Sequence, residues 1–274
     1  MMSGLAIIQK LREEDFNKAT ERKLESHPYL KAAENGTLTL PQRRAFAKEQ
    51  YSIQLSDAIS FAFLAGHKDF RPSSLSGGSI TVPDPIARDT DTESSGGQHE
   101  QKQVVDLFQF LLGGEIYAAP MLLAYAKTVG LDESALRASM KGLSLGLDSG
   151  DDVTYQISPK AQAYPSYWAR LALSGQRAAG AAACAVNFPA WGDMCRRLLE
   201  ALSTNSSDAD YGYADMNDEG LAFIKFFATP IDSLDEMAAA IIEKEGVAYE
   251  DIVEPVRLLQ EYEIMFWDAI FETK

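Results

Sequence analysis

The chain has 274 residues, 46% apolar and 24% charged, with 25 Lys+Arg against 40 Asp+Glu and a formal net charge of −15. That length can bury a sizeable core. The acidity excludes a general nucleic-acid binder, whose affinity comes from Lys and Arg displacing counterions, and argues equally against an anionic lipid surface.

Helical periodicity dominates, beginning with a predicted helix from Leu5 to Leu24. No signal-peptide pattern opens the chain, because Leu5-Ala6-Ile7-Ile8 is soon followed by Lys10, Arg12, Glu13 and Glu14. His27-Pro28-Tyr29-Leu30 starts a short segment ending at Asn35-Gly36, and Pro41, a favoured first-turn residue, opens a long helix to about Gly66. Residues 71–98 are rich in Ser, Gly, Pro, Asp and Thr and lack apolar periodicity, which predicts a long flexible insertion. Its Asp84, Asp89, Asp91 and Glu93 argue against a cover for an acidic ligand.

Helical pattern resumes at Gln101, breaks at Gly113-Gly114, continues to Val129, and returns from Asp132 to Lys141. Gly142 to Ser158 reads as a loop. Helices then follow at Tyr164–Ser174, Gln176–Leu202, Glu219–Phe227, Asp232–Lys244 and Glu254–Phe271, with a polar loop at Ser203–Asp210. With no alternating strand pattern, repeat or linker, the expectation is one all-α domain over residues 1–274. The apolar runs are shorter than the ~20 residues of a membrane helix. Cys184 and Cys195 on one helix stand ~16 Å apart, beyond the ~7 Å that a disulfide allows. Free thiols suit a reducing compartment, so the expected location is the cytoplasm, with no membrane and no nucleic-acid partner.

The informative residues are polar ones standing where an apolar stripe is expected. In the Pro41 helix one face reads Phe46, Gln50, Ile53, Asp57, Phe61, Leu64. In the last helix it reads Val256, Leu259, Glu263, Phe266, Ile270, and in the helix of the cysteines Cys184, Asn187, Trp191, Cys195, Leu198. Pro189 cannot donate to the carbonyl of Ala185, which predicts a kink near Asn187.

A buried polar group without a partner costs about 1–3 kcal/mol. Gln50, Asp57, Asn187 and Glu263 on three helices therefore point either to mutual pairing that fixes helix register or to a shared polar pocket for a small molecule. Glu263 beside Phe266 and Trp267 is expected to have a raised pKa, suited to acid/base work near neutral pH. Tyr164, in Ala163-Tyr164-Pro165-Ser166-Tyr167-Trp168, can supply a phenol to the pocket or serve as ordinary core. The three histidines, His27, His67 and His99, are too few and too scattered for a carboxylate-bridged metal pair, and no metal or other cofactor is expected. The glycine-rich stretches Ser76-Gly77-Gly78 and Ser95-Gly96-Gly97 lack the strand–turn–helix context of a phosphate loop.

His27-Pro28-Tyr29-Leu30, Asn35-Gly36-Thr37-Leu38, Phe46-Ala47-Lys48-Glu49-Gln50-Tyr51 and Glu261-Tyr262-Glu263-Ile264-Met265-Phe266-Trp267 resemble the TenA/thiaminase II family in order and spacing. The stretch from Ala163 to Leu198 can be laid over that family too. The resemblance implies a haem-oxygenase-like multi-helix bundle with its ligand enclosed between helices, assembled as a homo-oligomer (dimer or tetramer). It implies hydrolysis of a thiamin-related aminopyrimidine or attack on another small nitrogen heterocycle. Carried over, the family's pocket Glu falls on Glu263 as catalytic acid/base and a pocket Tyr on Tyr164. The pyrimidine-holding Asp falls on Gln50, a second Tyr on Ile53, an aromatic position on Trp191 and the nucleophilic Cys on Asn187. Asn cannot perform thiolate attack and Gln is not a carboxylate, so a divergent member with a different substrate is implied. The same bundle also admits an oxidase or oxygenase, iron-dependent or cofactor-free like PqqC, and a non-catalytic small-molecule binder.

Overall fold

The computed structural model describes residues 2–68, 105–139, 156–205 and 217–274. The insertion at 71–98, most of the Gly142–Ser158 loop, the end of the Ser203–Asp210 loop and His99 lie outside the described residues. Among the described residues every regular element is a helix. They are α1 Gly4–Glu13, α2 Asp15–Glu25, α3 Pro28–Glu34, α4 Leu40–Leu64, α5 Leu107–Thr128, α6 Glu133–Ser139, α7 Pro159–Leu173, α8 Arg177–Asn205, α9 Ala222–Phe227, α10 Leu234–Glu245 and α11 Tyr249–Glu272.

Helix α4 is the central one. Thr39 and Gln42 close its start reciprocally, the Gln42 N–H donating to Thr39 Oγ1 at 3.3 Å and the Thr39 N–H to Gln42 Oε1 at 3.0 Å. It packs against α5, α7 and α11, so the stripe read from the sequence is buried together with most of the other faces. Even Glu49 is fully buried. Its carboxylate accepts the Ser158 N–H at 2.7 Å and the Gln162 amide at 3.1 Å, tying α4 to the positive end of α7.

Three sequence expectations change. The first predicted helix is two, because Glu14 adopts extended backbone (ψ 146°) between α1 and α2. The Arg12 carbonyl near that break is taken by the side-chain amide of Asn17 at 3.2 Å. The expected break at Gly113-Gly114 does not occur. Each glycine costs a helix about 1 kcal/mol, and burial of α5 against α4 and α9 outweighs it, with Gly114 facing Phe226 of α9. Helix α5 is also long and apolar enough to cross a membrane by composition (mean hydropathy 1.4), contrary to the expected shortness of apolar runs. It carries Glu115 and packs against α4, α9 and α10, as the core helix of a bundle does.

Pro189 does not end α8 either. The Ala185 carbonyl that it leaves without a helical donor receives the Arg12 guanidinium at 2.6 Å, and Arg12 is itself gripped by both oxygens of Asp235 at 2.6 and 2.7 Å. The corner between α1 and α2 thus repairs α8 just before Asn187. Helix α1 approaches α10 so closely that a Cβ on Gly4 would stand 2.5 Å from the Ala239 carbonyl oxygen.

Candidate functional site

Asn187 of α8 and Glu263 of α11 meet inside the bundle, with 1% and 4% of their surfaces exposed. The Asn187 amide nitrogen lies 3.5 Å from Glu263 Oε2, and the Trp267 indole N–H donates to Glu263 Oε1 at 2.7 Å from one turn farther along α11. Tyr164 of α7 donates its hydroxyl to Asn187 Oδ1 at 3.1 Å. Asp57 of α4 faces the same space. Its charge bears on Tyr164 and Cys184, the charge of Glu263 bears on it, and its Oδ1 is buried without a hydrogen bond. Asp57, Tyr164, Asn187 and Glu263 therefore form one polar centre built from four helices.

One turn beyond Asn187 and Glu263 the facing side chains become aromatic. Trp191 and Trp267 lie 5.6 Å apart between ring centres, and Phe46 of α4 stacks on Trp191 almost parallel, at 6.5 Å and 4°. Gln50 and Ile53 stand on α4 between Phe46 and Asp57, both buried at 6% exposure. The Gln50 side-chain amide makes no hydrogen bond among the described residues. The site is thus polar at one level, aromatic at the next, with one free amide between.

The electrostatics follow from burial. Desolvation pushes the Glu263 carboxyl up to about 7, against the Trp267 and Asn187 N–H groups, which favour the ionised form. The pKa is raised as expected, and Trp267 acts in both senses. Its ring excludes water while its N–H holds the carboxylate. Asp57 is also raised well above the ordinary carboxyl range, first by burial and then by the charges of Glu115 and Glu263. Burial raises the Tyr164 phenol and both cysteine thiols far above their usual values, so Cys184 and Cys195 are held as neutral thiols. Trp168, beside Tyr164, leans its indole N–H toward the phenol and partly offsets that shift, without completing a hydrogen bond.

Four participants escape the stripe reading. Glu115 of α5 is half-buried and its charge bears on Asp57, with Oε2 buried and unpaired and its carboxyl raised to about 8 by burial. It follows the two glycines taken for a helix break, so no periodicity extends to it. Gln54 of α4 donates to the Glu115 carbonyl at 3.0 Å and keeps a buried, unpaired Oε1. Gln260, one turn before Glu263, accepts the Asn187 amide at 2.9 Å and donates to Asn17 of α2. Its spacing from Glu263 is a usable sequence signal. Asn17 has none, because the α1–α2 break changes which face it presents.

No group of three or more His, Cys, Asp or Glu among the described residues is arranged to hold a metal ion. His27 is engaged elsewhere, its Nε2 3.2 Å from Asp268 and its Nδ1 accepting the Tyr29 N–H, and His67 pairs with Gln109. Neither histidine is placed at the polar centre.

No curated protein matches the chain. A family model described as the TENA/THI-4/PQQC family matches residues 135–273, just over half of the chain, and that stretch carries Tyr164, Asn187, Trp191, Gln260, Glu263 and Trp267. The chain belongs to the TENA/THI-4/PQQC family, whose members are TenA-like and PqqC-like helical enzymes of the haem-oxygenase-like fold.

Proposed function

We propose that the chain is a TenA-like enzyme that acts on a small nitrogen heterocycle, a thiamin-related aminopyrimidine or a close analogue, held between α4, α5, α7, α8 and α11. The observation that carries this reading is the set of buried oxygens left without donors: Asp57 Oδ1, Glu115 Oε2 and Gln54 Oε1. Buried acceptors without partners are costly, and a ligand rich in N–H groups supplies what they lack. The aromatic level of Phe46, Trp191 and Trp267 offers flat faces to a ring, and Gln50 offers a free amide.

In this reading Glu263 carries the proton. A carboxyl near 7 is populated in both forms at neutral pH, so it can take a proton from a water or ring nitrogen and return it to a leaving amine. Asp57 and Glu115 orient the amino groups by accepting their N–H bonds at the unpaired oxygens, and Tyr164 and Asn187 hold the polar edge. Neither thiol acts as nucleophile, since both are buried and held neutral.

Calorimetry and thermal shift against a panel of aminopyrimidines, thiamin and thiamin fragments test the binding, and mass spectrometry of the mixtures tests turnover. Binding of N–H-rich rings with release of an amine or a cleaved fragment is expected. No heat, no shift and no product across the panel would overturn the reading.

A further inference from the structure

The hydrogen bonds behind Tyr164 have only one possible direction, and that direction is set outside the pocket. Glu21 is an exposed carboxylate one turn after Asn17 on α2, and the Arg12 carbonyl lies at the α1–α2 break. Both can only accept. The Asn17 amide nitrogen donates to both, at 3.0 and 3.2 Å, so its Oδ1 is left to face inward. Gln260 must then turn its NH2 to Asn17 Oδ1 and its Oε1 to Asn187. Asn187 in turn presents NH2 to Gln260 and, at longer range, to Glu263, and presents Oδ1 to Tyr164. The only proton on the Tyr164 hydroxyl is thereby committed to Asn187.

Asn17, Gln260 and Asn187 are at most 1% exposed. Turning any one amide over would set two oxygens or two NH2 groups face to face where no water can relieve them. An amide's orientation is ordinarily ambiguous, but here two acceptors that cannot donate, the Arg12 carbonyl and the Glu21 carboxylate, stand at the outer end of the chain and fix one sense along it.

We infer that Gln260 and Asn17 are positioning residues of this site: they hold the Asn187 amide in one orientation, so that Tyr164 offers a bound molecule an acceptor and not a donor, and Asn187 turns an N–H toward Glu263. The pocket thereby selects for a donor group opposite Tyr164. The selectivity is written two residues behind the phenol, on α2 and α11. This inference rests on the proposed function for its ligand, but its structural half does not need one.

Two arms test it. In the first, protein labelled with 13C at tyrosine Cζ is examined without ligand at pH 5.5, the Tyr164 signal being assigned by Tyr164→Phe. At that pH Glu263, raised to about 7, and Glu115, raised to about 8, are protonated, and burial holds Asp57, Tyr164, Cys184 and Cys195 toward their neutral forms, so the polar centre gains no charge that would turn the amide. Gln260→Met removes the acceptor and frees Asn187 to turn. Gln260→Glu, protonated, keeps both a donor and an acceptor. The Tyr164 signal is expected to move in Gln260→Met and to stay in Gln260→Glu.

In the second arm, binding of 4-aminopyrimidine and pyrimidin-4-one is compared. Wild type and Gln260→Glu should prefer the amine at least tenfold, and Gln260→Met should lose at least fivefold of that preference. An unmoved Tyr164 signal in folded Gln260→Met, or equal weakening toward both probes, overturns the inference. Failure of 4-aminopyrimidine to bind wild type counts against the proposed function, while the tyrosine signal still decides the orientation.

Discussion

The Trp267 indole N–H donates to Glu263 Oε1 at 2.7 Å from one turn along the same helix, so a single side chain both dries the carboxyl and stabilises its charge. The two effects oppose each other, and burial wins, leaving the group near 7. Trp267→Phe keeps the dry wall and removes the donor. The Glu263 pKa should rise further, by on the order of one unit, so an activity that needs the carboxylate loses its acid limb at higher pH than wild type. A pH profile of kcat/KM, or carboxyl 13C titration by NMR, checks the direction. A downward shift would contradict the assignment of the donor.

Glu263→Gln keeps the size and the Trp267 contact region but cannot move a proton. Turnover on any substrate found should fall by about 10²–10⁴, the usual contribution of a positioned acid or base, while binding of that substrate changes far less. Steady-state kinetics beside calorimetry separate the two. Equal loss of binding and turnover would make Glu263 a binding group.

The raised carboxyls have a stability consequence. Glu263 at about 7, Glu115 at about 8 and Asp57, also raised, hold their protons more tightly in the folded chain than in the unfolded one. Their stabilising contribution is full below the ordinary carboxyl values of 3.8 to 4.5 and is lost as pH rises through about 7 and about 8. The free protein should therefore melt at lower temperature at pH 9 than at pH 6. Glu115→Gln, whose amide can serve the unpaired Gln54 Oε1, should flatten that slope and gain on the order of 1–3 kcal/mol at pH 9. Melting curves across pH 5 to 9 for both proteins measure it.

Arg12 is expected to matter more than a half-exposed surface arginine would. Arg12→Ala leaves the Ala185 carbonyl without a donor and Asp235 without its partner, and should cost about 1–3 kcal/mol by urea denaturation. Arg12→Lys should recover only part of this, because an ammonium cannot hold the two Asp235 oxygens and the carbonyl in one plane.

Gly4→Ala tests the closest helix approach. The added methyl would stand 2.5 to 2.9 Å from the Ala239 backbone, which cannot swing aside as a side chain can. A loss of about 1–3 kcal/mol is expected, with secondary structure kept by circular dichroism.

Fold class and family were legible in the amino-acid sequence, and the polar residues that interrupt its apolar stripes stood out there. Helical periodicity is a local property, and a Glu at the Glu263 position of an apolar stripe is visible without neighbours, as are Asp57 and Asn187. It also marked Tyr164, which the structure brings to Asn187. What it could not determine are features whose cause lies in another helix. Glycines 113 and 114 look like a break because their local cost is readable and the packing of α5 on α4 and α9 is not. The break that does exist, at Glu14, carries no Gly or Pro to announce it. Glu115, Gln54 and Asn17 join the site through that unread geometry. Pro189 shows the same division: the missing bond to Ala185 follows from proline chemistry alone, but its repair by Arg12, far away in the chain, exists only once α1 has packed beside α8. Propensity and periodicity act over a few residues, whereas the pairing of buried polar groups is settled only when the helices meet.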